Sequence, residues 1–332
     1  MQLTTKLVVT GNHDPHRNLA VEEYLLNQVG DNQAVLYLWQ NQNTVVIGKN
    51  QNPWKECRPD LLASEGGKLA RRLSGGGAVF HDLGNLNFTF ILDRRWYDLP
   101  KQLGIILAAV RKMGIAAEFS GRNDLTVAGK KFSGNAFYLR ANSAMHHGTL
   151  LLSADLERLT RYLQVSREKI RAKGIESVRS RVINLQECLP TLSISQLSSA
   201  LSDAFQENYG RCAVCSRDEE GMDQAVLDRL YAKYSSWDWR FGEAPEFDIE
   251  MESRFPWGGV NLCLQLENAT IKKAYLYSDA MDATLIEKIP NSLIACPFRS
   301  ATLANCVRNL PTEQENQPIL EDIAQWLEKK CF

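Results

Sequence analysis

The sequence predicts an α+β fold: a large domain with a mixed or antiparallel sheet and surrounding helices, then a small α+β domain. Three observations predict it. Strand-like apolar runs are joined by hairpin-length links, as between Leu125–Val127 and Phe132–Leu139. The regular strand–helix alternation of a doubly wound sheet is missing. Around Trp237–Pro256, aromatics, acids and two prolines occur without helical period, and patterned sequence restarts after them. The domains are therefore placed at residues 1–245 and 246–332.

Each element has its own signal. Lys6–Thr10 reads as a strand. Asp14-Pro15, a cap followed by proline at N1, opens a helix through about Val29 with Val21, Leu25 and Val29 on one face. Ala34–Trp39 and Thr44–Ile47 are apolar runs joined by Gln40-Asn41-Gln42-Asn43, which reads as a hairpin. Pro59–Glu65 is a short helix closed by Gly66-Gly67, and Lys68–Leu73 is a strand. Within Asn85–Leu92, Leu86, Phe88, Phe90 and Leu92 point one way and Asn87 and Thr89 the other. A helix from about Pro100 to Gly114 buries Leu103, Ile106, Leu107 and Val110. Three strands follow, Leu125–Val127, Phe132–Leu139 and His146–Leu152, the first turn being Ala128-Gly129-Lys130. Helices come next over Ala154–Leu163 and Ser195–Tyr209. The second domain reads as strands Val260–Leu266 and Ile271–Tyr277 around an Asn268-Ala269 turn, then two helices, the last about Ile319–Lys329.

Composition excludes several classes. A net charge of −1 over 332 residues gives no general attraction to nucleic acid. No apolar run reaches the roughly 18 residues that cross a bilayer, and MQLTTKLVVT lacks a leader's apolar region. A cytoplasmic protein with no nucleic-acid or membrane partner is expected, its eight cysteines reduced. Cys212-x-x-Cys215 follows a helix end and has no second pair, so it reads as neither zinc nor redox motif.

The most informative stretch is Arg71-Arg72-Leu73-Ser74-Gly75-Gly76-Gly77-Ala78-Val79-Phe80-His81-Asp82. Glycines let a ligand lie against backbone N–H groups, and arginines can neutralise an anion there. The P-loop pattern fails because Ala78, Val79 and Phe80 follow Gly77 where it needs lysine and a hydroxyl residue, and the dinucleotide fingerprint fails because a strand rather than a helix follows. Lys131, in Gly129-Lys130-Lys131-Phe132-Ser133-Gly134-Asn135-Ala136, mounts a second cation at a strand start. His146-His147-Gly148-Thr149 invites a metal reading, but adjacent residues on a strand face opposite ways. Asp124 follows Asn123 in a turn, where it could hold Mg²⁺ beside a phosphate or simply make an Asx-turn. No Gly-x-Ser-x-Gly elbow surrounds Ser74, and no cysteine lies between Cys57 and Cys188.

These motifs, in this order, resemble the lipoate–protein ligase A family. Gly121-Arg122-Asn123-Asp124, Lys131-x-Ser133-Gly134-Asn135-Ala136 and His146-His147-Gly148-Thr149-Leu150-Leu151 carry the resemblance with the glycine loop. Asn52-Pro53-Trp54-Lys55-Glu56-Cys57 and the run from Lys173-Gly174-Ile175 to Asn184-Leu185 are similar too. Leu73 stands where a small polar residue is expected, and Asn135 replaces the serine of some members.

The resemblance implies a biotin/lipoate-ligase-like catalytic domain with an accessory domain. It implies that ATP, lipoate and a protein lysine give lipoyl-lysine, AMP and pyrophosphate through lipoyl-adenylate, with Mg²⁺, in lipoate salvage. Lys131 is then the catalytic cation, touching the acyl carboxylate and the α-phosphate. Arg72, Gly77, Ala78, Val79 and Phe80 would hold the nucleotide or adenylate. Lipoate would meet Lys131, Arg72, Ser74, Gly75, Gly76, His81 and His147, its apolar tail on a sheet face near Val45, Val79 and His81. Lys173, Gly174, Arg179 and Arg181 would cover the adenylate, and Asp124 would help place Mg²⁺. The implied partners are lipoate or octanoate and lipoyl-acceptor domains (2-oxoacid dehydrogenase E2, glycine cleavage H protein), served by a monomer. Alternatives are a lipoyltransferase that takes preformed lipoyl-adenylate, and an octanoyl or biotinyl transferase of the same fold. An octanoyltransferase would carry a cysteine where Ala144-Met145-His146 precede His147-Gly148.

Overall fold

The computed structural model describes residues 3–120, 124–164, 182–242 and 247–330. They fall into two compact units. The first comprises residues 1–47, 53–71 and 79–240, and the second residues 48–52, 72–78 and 241–332.

The first unit is built on an eight-stranded mixed sheet. Its members are β1 (Thr4–Val9), β2 (Gln33–Trp39), β6 (Asn85–Asp93), β7 (Ala117–Ser120), β8 (Asp124–Val127), β9 (Lys130–Leu139), β10 (Ser143–Leu151) and β11 (Val214–Arg217). Their order is β11-β1-β2-β6-β10-β9-β8-β7; β1 runs parallel to β2 and β11, and the remaining pairs are antiparallel. A second sheet of three short strands holds β3 (Thr44–Ile47) between β4 (Lys68–Arg71) and β5 (Val79–His81). The helices are α1 (Pro15–Gln28), α2 (Pro53–Glu56), α3 (Pro59–Ser64), α4 (Leu99–Lys112), α5 (Leu156–Tyr162), α6 (Ile194–Tyr209), α7 (Gln224–Ser235) and α8 (Trp237–Phe241).

Local chemistry explains the boundaries. Asp14 accepts from the N–H groups of His16 and Arg17, and Pro15 sits at N1, so α1 starts there. Ser193 and Gln196 make a capping box at α6. Ala128 at φ 50° and Gly129 at φ 74° form the tight turn between β8 and β9. All nine residues of β6 are buried, because one face meets the core with α4 and α6 while the other holds Asn87 and Thr89.

The structure corrects three expectations. Residues 34–39 and 44–47 do not form a hairpin: β2 pairs with β1 and β6, and β3 lies in the other sheet. The connection is a polar corner, in which the buried Asn41 accepts from the Asn18 amide and Asn43 takes φ 44°. Strands β7, β11 and Ile249–Phe255 and helices α2, α7 and α8 are additional to the expected elements, and α8 falls in the stretch read as lacking helical period. The C-terminal unit carries three helices rather than two.

In that unit β12 (Ile249–Phe255), β13 (Gly258–Glu267) and β14 (Thr270–Ser278) form an antiparallel sheet. Helices α9 (Ala283–Leu293), α10 (Ser300–Arg308) and α11 (Gln317–Glu328) join it in one apolar core that includes Leu262, Leu264, Ile289, Leu303 and Ile323. Among the described residues, no helix is long and apolar enough to cross a membrane.

Candidate active site

Lys131 enters the fold at a bulge. Thr126 pairs with Lys131 but Leu125 pairs with Ser133, so Phe132 is the extra residue in β9. Phe132 is fully buried in the core, while Lys131 stays partly exposed beside it. The Lys131 ammonium lies 2.7 Å from Asp124 Oδ1. It also lies across Gly134: a Cβ there would stand 3.0 Å from Lys131 Nζ. The glycine of Lys-Phe-Ser-Gly therefore makes room for the lysine side chain. The Lys131 carbonyl accepts from Ile183 N–H at 3.0 Å or less (2.9 Å), and Lys131 pairs with Val182 in a parallel bridge.

The two histidines face opposite ways, as strand geometry requires. His146 is fully buried, its nitrogens each 2.9 Å from an amide oxygen, of Gln102 and of Asn135. Burial, and then the neighbouring His147, pushes its pKa down to about 3. A neutral imidazole donates from one nitrogen only, so one of those amides turns its NH₂ to the ring. His147 points to α1, where its Nδ1 donates to Glu22 Oε1 at 2.9 Å. Thr89 Oγ1 donates to the same oxygen at 2.7 Å and accepts from Trp39 Nε1 at 3.0 Å. Trp39 meets the His81 ring edge-on at 6.3 Å, and His81 Nδ1 lies 3.2 Å from Asn41 Nδ2. The fold thus connects His81 and His147 through Trp39, Thr89 and Glu22. Sequence reasoning missed that relay. Its faint signals were the Glu22-Glu23 pair inside an apolar helix and Thr89 on the polar face of its strand.

Register also revises the expected apolar slot. Thr44 opposes His81 and Val46 opposes Val79, whereas Val45 opposes Phe80. Val45 and Phe80 therefore share one face, and Val79 and His81 lie on the other with Val46. Phe80 packs on the Tyr162 ring at 5.4 Å. Strand β5 is the edge of its sheet, so alternate N–H groups of Val79–His81 point away from β3.

The glycine loop belongs to the second unit. Arg72 is buried, donating to Ser74 Oγ (3.0 Å), Gly75 O (2.7 Å) and Gly77 O (2.8 Å). Ser74 is buried with it. A Cβ at Gly75 would stand 2.1 Å from Ala280 O, and Gly76 N–H donates to that same oxygen at 3.0 Å. Gly76 holds φ 85°. Gly77 is exposed, with nothing near its missing Cβ, and Ala78 is half-exposed. Arg71, in the first unit, caps α8 by donating to the carbonyls of Trp239 (2.8 Å) and Arg240 (2.8 Å). Gly75 thus packs against backbone, whereas Gly77 is exposed.

Lys173, Gly174, Arg179 and Arg181 lie outside the described residues. Among the described residues, no group of three or more His, Cys, Asp or Glu could hold a metal ion. Asp124 stands as a single carboxylate, which suits Mg²⁺ bound largely through substrate phosphates. Cys57 makes a poor nucleophile, since burial pushes its thiol up to about 12.

The description "lipoyl protein ligase A/B catalytic domain" matches residues 14–206, and "bacterial lipoate protein ligase C-terminus" matches residues 244–327. The chain belongs to the lipoyl protein ligase family and is a ligase enzyme. Solved structures agree. LipL1 of P. falciparum in complex with lipoate is 28% identical with TM-score 0.86, over 98% of this chain and 99% of that one. A bipartite lipoate protein ligase from Thermoplasma acidophilum, solved with its E2 lipoyl domain, is 27% identical with TM-score 0.64, over 75% and 100% of the chains. A lipoate-protein ligase A bound with ATP is 27% identical with TM-score 0.63, over 73% and 99%.

Proposed function

We propose that this enzyme activates lipoate with MgATP to lipoyl-adenylate and transfers the lipoyl group to a lysine of lipoyl-acceptor domains, of the 2-oxoacid dehydrogenase E2 and glycine cleavage H types. The observation that carries this reading is the Lys131 ammonium, set on a rigid bulge beside Asp124 and across Gly134. The lipoate-bound, ATP-bound and E2-domain-containing relatives support the substrates and the partner. In this reading residues 1–245 form the catalytic domain and residues 246–332 the accessory domain.

The first step joins two anions. The lipoate carboxylate oxygen attacks the α-phosphorus, and pyrophosphate leaves. A fixed cation between the partners removes their repulsion and stabilises charge developing on the phosphoryl oxygens. Lys131 is that cation. Its pair with Asp124 is open to solvent, at 37% and 45% exposure, so exchanging the carboxylate for a substrate anion costs little. Asp124 is then available to Mg²⁺, which when bound neutralises phosphate charge. In this reading Gly77 and Ala78 offer backbone N–H groups to the nucleotide, as do Val79 and Phe80. Arg72 supplies positive charge to the adenylate and lipoate from within the glycine loop, whose carbonyls it also holds. His81 and His147, fixed through Trp39, Thr89 and Glu22, contact lipoate. In the second step the acceptor lysine amine, unprotonated, attacks the acyl carbon and AMP leaves. With Cys57 inert and Ala144 and Met145 ahead of the histidines, no cysteine supports the thioester route of an octanoyltransferase.

The test is mass spectrometry of an acceptor lipoyl domain incubated with enzyme, lipoate and MgATP. A lipoylated lysine that forms only when ATP is present is expected. Equal modification without ATP contradicts the proposal.

A further inference from the structure

Two thiols of the C-terminal unit lie outside everything described above. Cys296 Sγ and Cys306 Sγ are 3.2 Å apart, closer than two sulfurs rest without a hydrogen bond or an incipient covalent bond. Both are half-buried, so small molecules reach them while bulky ones are hindered. Each sits on a fixed backbone. Residues 295–298 run along the start of β14: Ala295 N–H donates to Ile271 O (2.8 Å), Ile271 N–H to Cys296 O (3.0 Å) and Phe298 N–H to Ala269 O (2.8 Å). Ala295 is held at φ 63°, a conformation that survives only where the surroundings enforce it. Cys306 is part of α10, whose Leu303, Ala304 and Val307 are fully buried in the unit's core.

We propose that Cys296 and Cys306 are a redox modification site, closing a reversible disulfide when the protein meets a peroxide. The inference stands independently of the ligase chemistry. The thiols differ in role. Burial, then its hydrogen bond to Cys306, pushes the Cys296 thiol up to about 11. We assign the attack to Cys306, on α10, and the resolving role to Cys296. The Cys306 sulfur takes one oxygen of hydrogen peroxide, the O–O bond breaks, and the departing hydroxide takes the Cys306 thiol proton as water. The Cys306 sulfenic acid is then attacked by Cys296 sulfur. The S–S bond forms, the S–O bond breaks, and the departing hydroxide takes the Cys296 proton as a second water. One peroxide is reduced and two thiols are oxidised. The bond would staple the strand-like segment at Cys296 to α10 across a short loop. A dithiol reductant reverses it by exchange.

Full-length protein treated with stoichiometric hydrogen peroxide, blocked by alkylation and digested provides the test. We expect a Cys296–Cys306 linked peptide as the dominant oxidised species, lost on treatment with dithiothreitol. The thermal midpoint of the C-terminal unit should rise by about 5 °C on oxidation, and Cys306→Ser should abolish that rise. In Cys296→Ser, dimedone should trap a sulfenic acid on Cys306, since its resolving thiol is gone. Recovery of Cys296 and Cys306 as alkylated thiols, while the exposed Cys188 and Cys215 are oxidised, overturns the proposal. So does dimedone trapping at Cys296 in Cys306→Ser with none at Cys306 in Cys296→Ser.

Discussion

The glycine loop and the Lys131 hairpin carry the same signature, glycine next to a cation, and use it in opposite ways. At Gly75 the missing Cβ lets backbone approach backbone, and Arg72 turns inward to hold the loop's own carbonyls. At Gly134 the missing Cβ clears space for the Lys131 side chain, which stays partly exposed. In the first arrangement the cation is buried against its own loop. The second leaves a cation in reach of a ligand. Sequence shows glycine and cation together, but only burial tells which is which.

Four substitutions or conditions sharpen that contrast. Lys131→Ala should lower lipoyl transfer from lipoate and MgATP by roughly 10²–10³-fold or more. Its thermal midpoint should stay near wild type, because an exposed ion pair is worth at most about 1 kcal/mol. A large drop in the midpoint would show Lys131 to be structural instead. Gly75→Ala should act the other way round. Its Cβ would press on Ala280 O, and denaturant unfolding should report a loss of about 1–3 kcal/mol. Wild-type stability in that variant would break the comparison.

Acid should destabilise the first unit through His146. Its folded pKa, about 3, lies below the ordinary value of 6.5, so the unfolded chain takes up this proton first. The contribution is full above about pH 6.5 and declines as pH falls toward 3, by up to about 1.4 kcal/mol per pH unit. Unfolding free energies at several pH values, compared with His146→Gln, measure the slope; an unchanged slope in the variant would remove His146 from the account. The smallest effect belongs to Gly134→Ala. The new Cβ meets the far end of a flexible side chain, so stability should change by less than about 0.5 kcal/mol. Activation should nevertheless fall about tenfold as the ammonium shifts, since one factor of ten is only about 1.4 kcal/mol. Unchanged rates would mean that Lys131 tolerates displacement.

Much of the fold was legible because its signals are local. Asp14-Pro15 starts a helix by capping, and Ala128-Gly129 turns a hairpin through positive φ. The residues from 40 to 43 misled because the same polar run serves a hairpin or a corner between two sheets. The fully buried run of β3, without polar alternation, was the clue that it is not a one-faced hairpin strand. Helix α8 is five residues long and is closed by Arg71 from a distant strand, which no local pattern reveals. In the site, Lys131, Gly134 and the opposed histidines could be read from spacing. The relay from Trp39 through Thr89 and Glu22 to His147 could not, because its members lie on three strands and a helix. The partnering of Arg72 with its own loop was hidden for the same reason: burial is a property of the folded chain.

The central claim is that the enzyme activates lipoate itself, and lipoate-dependent exchange of labelled pyrophosphate into ATP tests it most directly. With Mg²⁺ and lipoate the wild-type protein should incorporate label, and omitting lipoate should abolish it. No incorporation, together with efficient transfer from synthetic lipoyl-adenylate, would contradict the account and leave a lipoyltransferase.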